Sequence, residues 1–125
     1  MKNFGKFAFF TAILILVFSN VSFAQNAMAN KSWNAFWTKF SAAAKAKNVS
    51  ALLRLSVSEN DFSNGGAAGN RRQLIGESLG LIKDSVSRGT MPYTDSRRPA
   101  RITKNNALIF EYINKRWWFI GFMGD

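Results

Sequence analysis

Large apolar side chains recur along this chain with two different periods. Trp33, Phe36, Trp37 and Phe40 fall at i, i+3, i+4 and i+7, and Ala43 and Ala44 extend the same stripe. That spacing predicts an amphipathic helix capped at Ser32, with Lys39, Lys45 and Lys47 on its polar side. Lys47-Asn48 interrupts the pattern. Asn48 or Ser50 then caps a second, short helix through Ala51, Leu52, Leu53 and Leu55. Val57 to Phe62 reads equally as an extended segment or a turn. Ser63 to Asn70 (SNGGAAGN) has three glycines and no bulky side chain, the composition of a flexible loop. From Arg71 to Ser87 the positions Leu74, Ile75, Leu79, Ile82 and Val86 return to a helical stripe. This predicts one long helix with Asn70 as N-cap and Gly89 just past its end. Gly76 and Gly80 lie inside it at about 1 kcal/mol each relative to Ala, which implies close backbone packing on a sheet.

The period then changes to two. Thr90 to Pro99 is turn-rich, and Arg101 to Lys104 reads as a short strand. Asn105-Asn106 is a tight turn, and Ala107 to Ile113 (ALIFEYI) is β-branched and aromatic without a breaker. Asn114-Lys115-Arg116 has the length of a hairpin loop before a last strand, Trp117 to Met123. The expected fold class is α+β: N-terminal amphipathic helices and a long central helix packed on a C-terminal antiparallel β-meander. No internal repeat or second domain is visible.

Ahead of these elements lies a different kind of pattern. Lys2 and Lys6 precede a run from Phe7 to Phe18 in which only Thr11 is polar, and Ser22-Phe23-Ala24 places small residues at the two positions signal peptidase reads. The expectation is a cleaved signal peptide over 1–24, a flexible leader over 25–31 and a single α+β domain over 32–125. Export by the general secretory route, to the periplasm or the extracellular space, follows, with no membrane span after cleavage. The apolar run is too short to cross a hydrocarbon core of about 30 Å comfortably.

Composition narrows the chemistry. The chain has 125 residues, 17 Lys+Arg against 7 Asp+Glu, no cysteine and no histidine. Disulfides, thiolate nucleophiles, Cys/His zinc sites and every mechanism that needs an imidazole base are excluded. No cofactor and no metal are expected. Stability must come from the core alone or from association; four Trp and six of the twelve Phe lie beyond residue 24 to build that core.

Two stretches, FWTKFSAAAKAKNVSALLRL (Phe36 to Leu55) and LIFEYINKRWWFIGFMGD (Leu108 to Asp125), carry a resemblance. The first resembles the opening helix pair of small exported proteins of the nuclear transport factor 2-like type. The second resembles their closing hairpin, in which a basic turn leads into a Trp-rich strand. The resemblance implies a sheet wrapped around helices, with a pocket between them where one exists. It also implies members that are isomerases, dehydratases, ligand binders or dimerisation modules, so fold leaves function open. The family's enzymes usually use His, which this chain lacks. A cystatin-like arrangement, one helix on an antiparallel sheet, fits the same element order.

Four groups of residues carry candidate chemistry. The glycine-rich run into Asn70-Arg71-Arg72 offers helix N–H groups and two guanidinium groups to an anion, without matching a P-loop or dinucleotide fingerprint. Arg97, Arg98 and Arg101, with Tyr93 near, form a basic patch for anionic lipid, acidic glycan or another envelope polyanion. No specific nucleic-acid motif accompanies it. Glu111 alternates with Ile109 and Ile113 on one strand face. Desolvated there, it would serve as a general base with Tyr112 or Tyr93 as donor. Trp117, Phe119 and Met123 alternate with Trp118, Ile120 and Phe122, so both strand faces are apolar. One face is expected to need a small apolar ligand or a homodimer partner.

Three functions follow as expectations. The first is a non-catalytic binding or dimerisation module with a site at Trp33, Trp37, Trp117 and Phe119. The second is a His-free acid/base enzyme of isomerase or dehydratase type using Glu111. The third is a basic surface protein that binds envelope polyanions.

Overall fold

The computed structural model describes residues 26–124; the expected signal peptide lies outside the described residues. The first helix, α1, covers residues 26–45. It therefore includes residues 26–31, which the leader reading left unstructured, and Ser32 is not its cap. The Ser32 hydroxyl donates to Met28 O at 2.9 Å from inside the helix. The early turn is anchored by tertiary contact. Ala29 is fully buried, and its carbonyl accepts the Trp117 indole N–H at 2.7 Å.

The short helix α2 (Val49–Arg54) starts where expected, with the Asn48 side chain accepting from Ala51 N. Residues 63–70 are not wholly loop, because Ser63–Asn64 form strand β1 at the sheet edge. The single long helix is two: α3 (Arg71–Glu77), capped by Asn70, and α4 (Leu79–Arg88), with the break at Ser78. Gly76 and Gly80 flank that break, and a Cβ on either would meet nothing within 4 Å. They weaken the helix locally and admit no neighbour, which overturns the close-packing expectation. The turn-rich segment opens with strand β2 (Thr90–Pro92). Strands β3 (Ala100–Thr103), β4 (Leu108–Ile113) and β5 (Arg116–Phe122) follow.

The five strands make one sheet in the order β1-β5-β4-β3-β2. All neighbours are antiparallel except β1, which lies parallel to β5. The α2–β1 connection adds to the same edge of β5. Phe119 N donates to Leu55 O at 2.8 Å, and Val57 N donates to Phe119 O at 3.0 Å. The edge of the most aromatic strand is thus paired along much of its length, which removes a template for aggregation.

The register of β4 on β5 slips between Ile109 and Phe110. Ile109 faces Gly121 and Phe110 faces Phe119, so Ile120 is the extra residue of a β-bulge. The bulge changes which side chains share a face. Trp117, Phe119 and Phe122 all belong to the core, whereas strict alternation would separate Phe122 from the other two.

Helix α1 lies on that core face. Phe110 sits under it with Trp33, Phe36, Trp37 and Phe40 at ring-centroid distances of 4.9–5.8 Å, all four edge-on. Leu74 and Ile75 of α3 and Ile82 and Val86 of α4 complete the cluster. The architecture is α+β, helices on a sheet.

Candidate functional site

Pleating sends alternate residues of β4 to opposite sides of the sheet. Leu108, Phe110 and Tyr112 enter the core, and Glu111 and Ile113 leave from the other face. Their partners follow suit, because Glu111 pairs with Trp118 and Ile113 with Arg116. The β4–β5 hairpin thereby presents Glu111, Ile113, Trp118 and Ile120 on the side away from α1.

Two connections wall this surface into a groove of about 410 Å³. On one side the α2–β1 connection brings Val57, Ser58 and Asp61; on the other the β2–β3 connection brings Arg98. Each wall is fixed by its own hydrogen bonds. The Ser58 hydroxyl donates to Asp61 Oδ2 at 2.9 Å. Glu111 Oε1 accepts from the Ser96 hydroxyl at 2.9 Å, and Glu111 Oε2 lies 3.5 Å from Arg98 Nη1. Tyr112 N donates to Pro99 O at 2.9 Å, which ties the same connection to β4.

The floor is rigid. Trp118 Nε1 donates to Ile113 O at 3.2 Å, and the Arg116 guanidinium stacks 3.7 Å from the Trp118 ring centroid. A smaller hollow of about 360 Å³ adjoins the groove across Arg98 and Glu111, and Tyr93, Asp95, Ser96 and Arg97 line it.

The other expected site residues fall elsewhere. Trp33, Trp117 and Phe119 are core residues: Trp33 meets Trp117 edge-on at 4.7 Å, and Phe119 meets Phe40 at 5.1 Å. Half-buried Trp37 stacks on Trp33 at 5.4 Å. The space between sheet and α1, where the resemblance puts a pocket, is closed by these rings. Tyr112 is 3 % exposed and packs on Trp117, on the opposite face from Glu111, so it does not join that carboxylate as a donor.

The expected anion site at Arg71 and Arg72 is filled from within. Arg71 N donates to both Glu59 carboxylate oxygens at 3.0 Å, so Glu59 holds the start of α3. The Arg71 side chain donates to Val57 O and to the Ser56 hydroxyl, where it staples the α2–β1 connection. Arg72 is exposed. Of the basic patch, Arg97 and Arg98 line the hollows beside Glu111, whereas Arg101 leaves β3 toward α1 and lies 5.1 Å from the Trp33 ring centroid.

Sequence reading reached Glu111 and Arg98 but missed Ser58, Asp61, Ser96, Asn114 and the site role of Trp118. The alternation of Glu111, Ile113, Trp118 and Ile120 was a usable signal for the floor. Nothing local marks Ser58 or Asp61, which reach the groove only through the pairing of residues 55–57 with β5. Among the described residues, no group of three or more acidic side chains gathers into a metal site, and no helix is long and apolar enough to cross a membrane. No family model, curated protein or solved structure matches this chain.

Proposed function

We propose that this chain is an exported binding module whose ligand lies in the groove over the outward face of the β4–β5 hairpin. The observation that carries the reading is the makeup of that groove: a floor of Ile113, Trp118 and Ile120 rimmed by Glu111, Arg98, Asp61 and Ser58. An apolar floor with a few convergent polar groups is the common form of a small-ligand site. A ligand with one apolar face and a hydrogen-bonding edge matches it, as a sugar ring or a short peptide segment does. The engagement of Glu111 by Ser96 and Arg98 favours a recognition role for the carboxylate over free acid/base work. The resemblance to the nuclear transport factor 2-like type rests on element order, and the proposed groove lies on the other side of the sheet from that type's pocket.

The test is a native mass spectrum of the protein purified from exporting cells. Retained extra mass that is lost in Trp118→Ala and in Glu111→Gln supports the groove. A retained ligand that survives both substitutions refutes it. Mature protein whose first residue is Gln25 supports export with signal cleavage, and retention of Met1 on the mature protein refutes that part.

A further inference from the structure

Among the described residues Arg101 is a cation without a counter-ion. Its Nε donates to the Thr90 hydroxyl at 3.0 Å, and its guanidinium lies against Trp33. Among the described residues no acidic side chain pairs with it. Burial lowers its pKa from the ordinary arginine value, but a guanidinium stays charged throughout the physiological range. Arg101 Nη2 also donates to Thr90 O at 3.4 Å, so the guanidinium has neutral hydrogen-bond acceptors but no charge of opposite sign, and an anion brought to it supplies that charge.

Space for such an anion is present. A hollow of about 420 Å³ opens between the described start of α1 and the β2–β3 connection. Arg101, Arg98, Tyr93, Asn26 and Asn30 contribute to its lining, and among the described residues no acidic side chain does. Arg98 lines it as well as the groove at Glu111, so an anion here competes with that carboxylate for its guanidinium. Among the described residues the only carboxylate contact of Arg98 is the 3.5 Å approach to Glu111, and its side chain is 55 % exposed. Two arginines with amide- and phenol-bearing side chains make a donor-rich lining that suits a tetrahedral or planar oxyanion.

We infer that this hollow is a discrete site for a small oxyanion, a phosphate or carboxylate group, held by Arg98 and Arg101. It is separate from the groove at Trp118, shares only Arg98 with it, and stands or falls by a different probe.

The experiment titrates inorganic phosphate into the purified protein at constant ionic strength, with chloride as the balancing anion. Backbone amide shifts report the location. The expected result is a saturable response over residues 90–101 and the first turns of α1. Affinity falls about tenfold in Arg101→Gln, by about 1.4 kcal/mol on conversion. It weakens several-fold in Arg98→Gln and is unchanged in Arg72→Gln. Arg101→Gln also removes the Trp33 stack, so its thermal transition is recorded alongside. Arg98→Gln touches no core ring and keeps the test decisive if the first variant unfolds.

Vesicles of phosphatidylglycerol make the second arm. Arg101-dependent vesicle binding without a response to free phosphate assigns the oxyanion to a lipid headgroup, and a response to free phosphate assigns a soluble source. The inference is overturned if neither probe binds, or if binding survives both Arg98→Gln and Arg101→Gln.

Discussion

Gly121 occupies a position that no other residue fits. Its φ is +135°, and a Cβ built on it would lie 2.2 Å from Ser63 O. The contact arises because β1 runs alongside β5 at the bulge, with Ser63 opposite Gly121. Gly121→Ala must push the strands apart and also strain the backbone. Its expected cost is about 3 kcal/mol, read as a lowered urea midpoint. Phe110 is the corresponding position in the core. It is fully buried and touches the rings of both α1 and β5. Phe110→Ala leaves a cavity beneath the helix and is expected to cost about 3–5 kcal/mol, a large share of the roughly 5–15 kcal/mol that holds a small domain. A chevron or equilibrium urea curve measures it.

Among the elements, the broken helix is the one where sequence periodicity and structure part. Leu74, Ile75, Leu79, Ile82 and Val86 keep a helical spacing across Arg71 to Ser87, but the backbone stops at Ser78 and restarts. Periodicity reports which side chains seek the core and is silent on a one-residue interruption between two low-propensity glycines. Because a Cβ at Gly76 or Gly80 meets open space, Gly76→Ala and Gly80→Ala are each expected to stabilise by about 0.5–1 kcal/mol, seen as raised thermal midpoints. The closing hairpin offers a second handle. Asn114 and Lys115 both have positive φ, 51° and 66°, as a two-residue turn of the type favoured in hairpins requires. Lys is a poor residue there. Lys115→Gly is expected to raise stability by about 0.5–1 kcal/mol in thermal denaturation, provided the turn keeps its shape.

For the molecule as a whole, charge is the dominant long-range fact. Formal net charge is +10, and among the described residues only three ion pairs form, each with at least one partner more than half exposed. Exposed pairs contribute little, whereas unbalanced positive charge repels itself in the folded state. Raising sodium chloride from low to physiological strength is therefore expected to raise the thermal midpoint, since screening sets in over about 8–10 Å. A midpoint that falls with added salt would show that the attractive pairs outweigh the repulsion. Phosphate at matched ionic strength is expected to raise it further than chloride, through the hollow at Arg101.

What the amino-acid order alone determined is the set of faces. The aromatic stripe of α1, the Asn48 and Asn70 caps, the alternation along Leu108 to Ile113 and the turn at Asn114-Lys115 are local consequences of side-chain spacing and backbone preference. From them the α+β class and the separation of Glu111 from Phe110 and Tyr112 onto opposite strand faces could be read. The tertiary structure alone decided what those faces meet. It closed Trp33, Trp117 and Phe119 into a core instead of a pocket and put Glu59 on the helix start expected to take an anion. It also carried Ser58 and Asp61 to the rim of the groove. The physical reason is that burial and pairing depend on partners distant in the chain. Ser63 finds Gly121, Ser96 finds Glu111 and Ala29 finds Trp117 only when the sheet and helices have closed together.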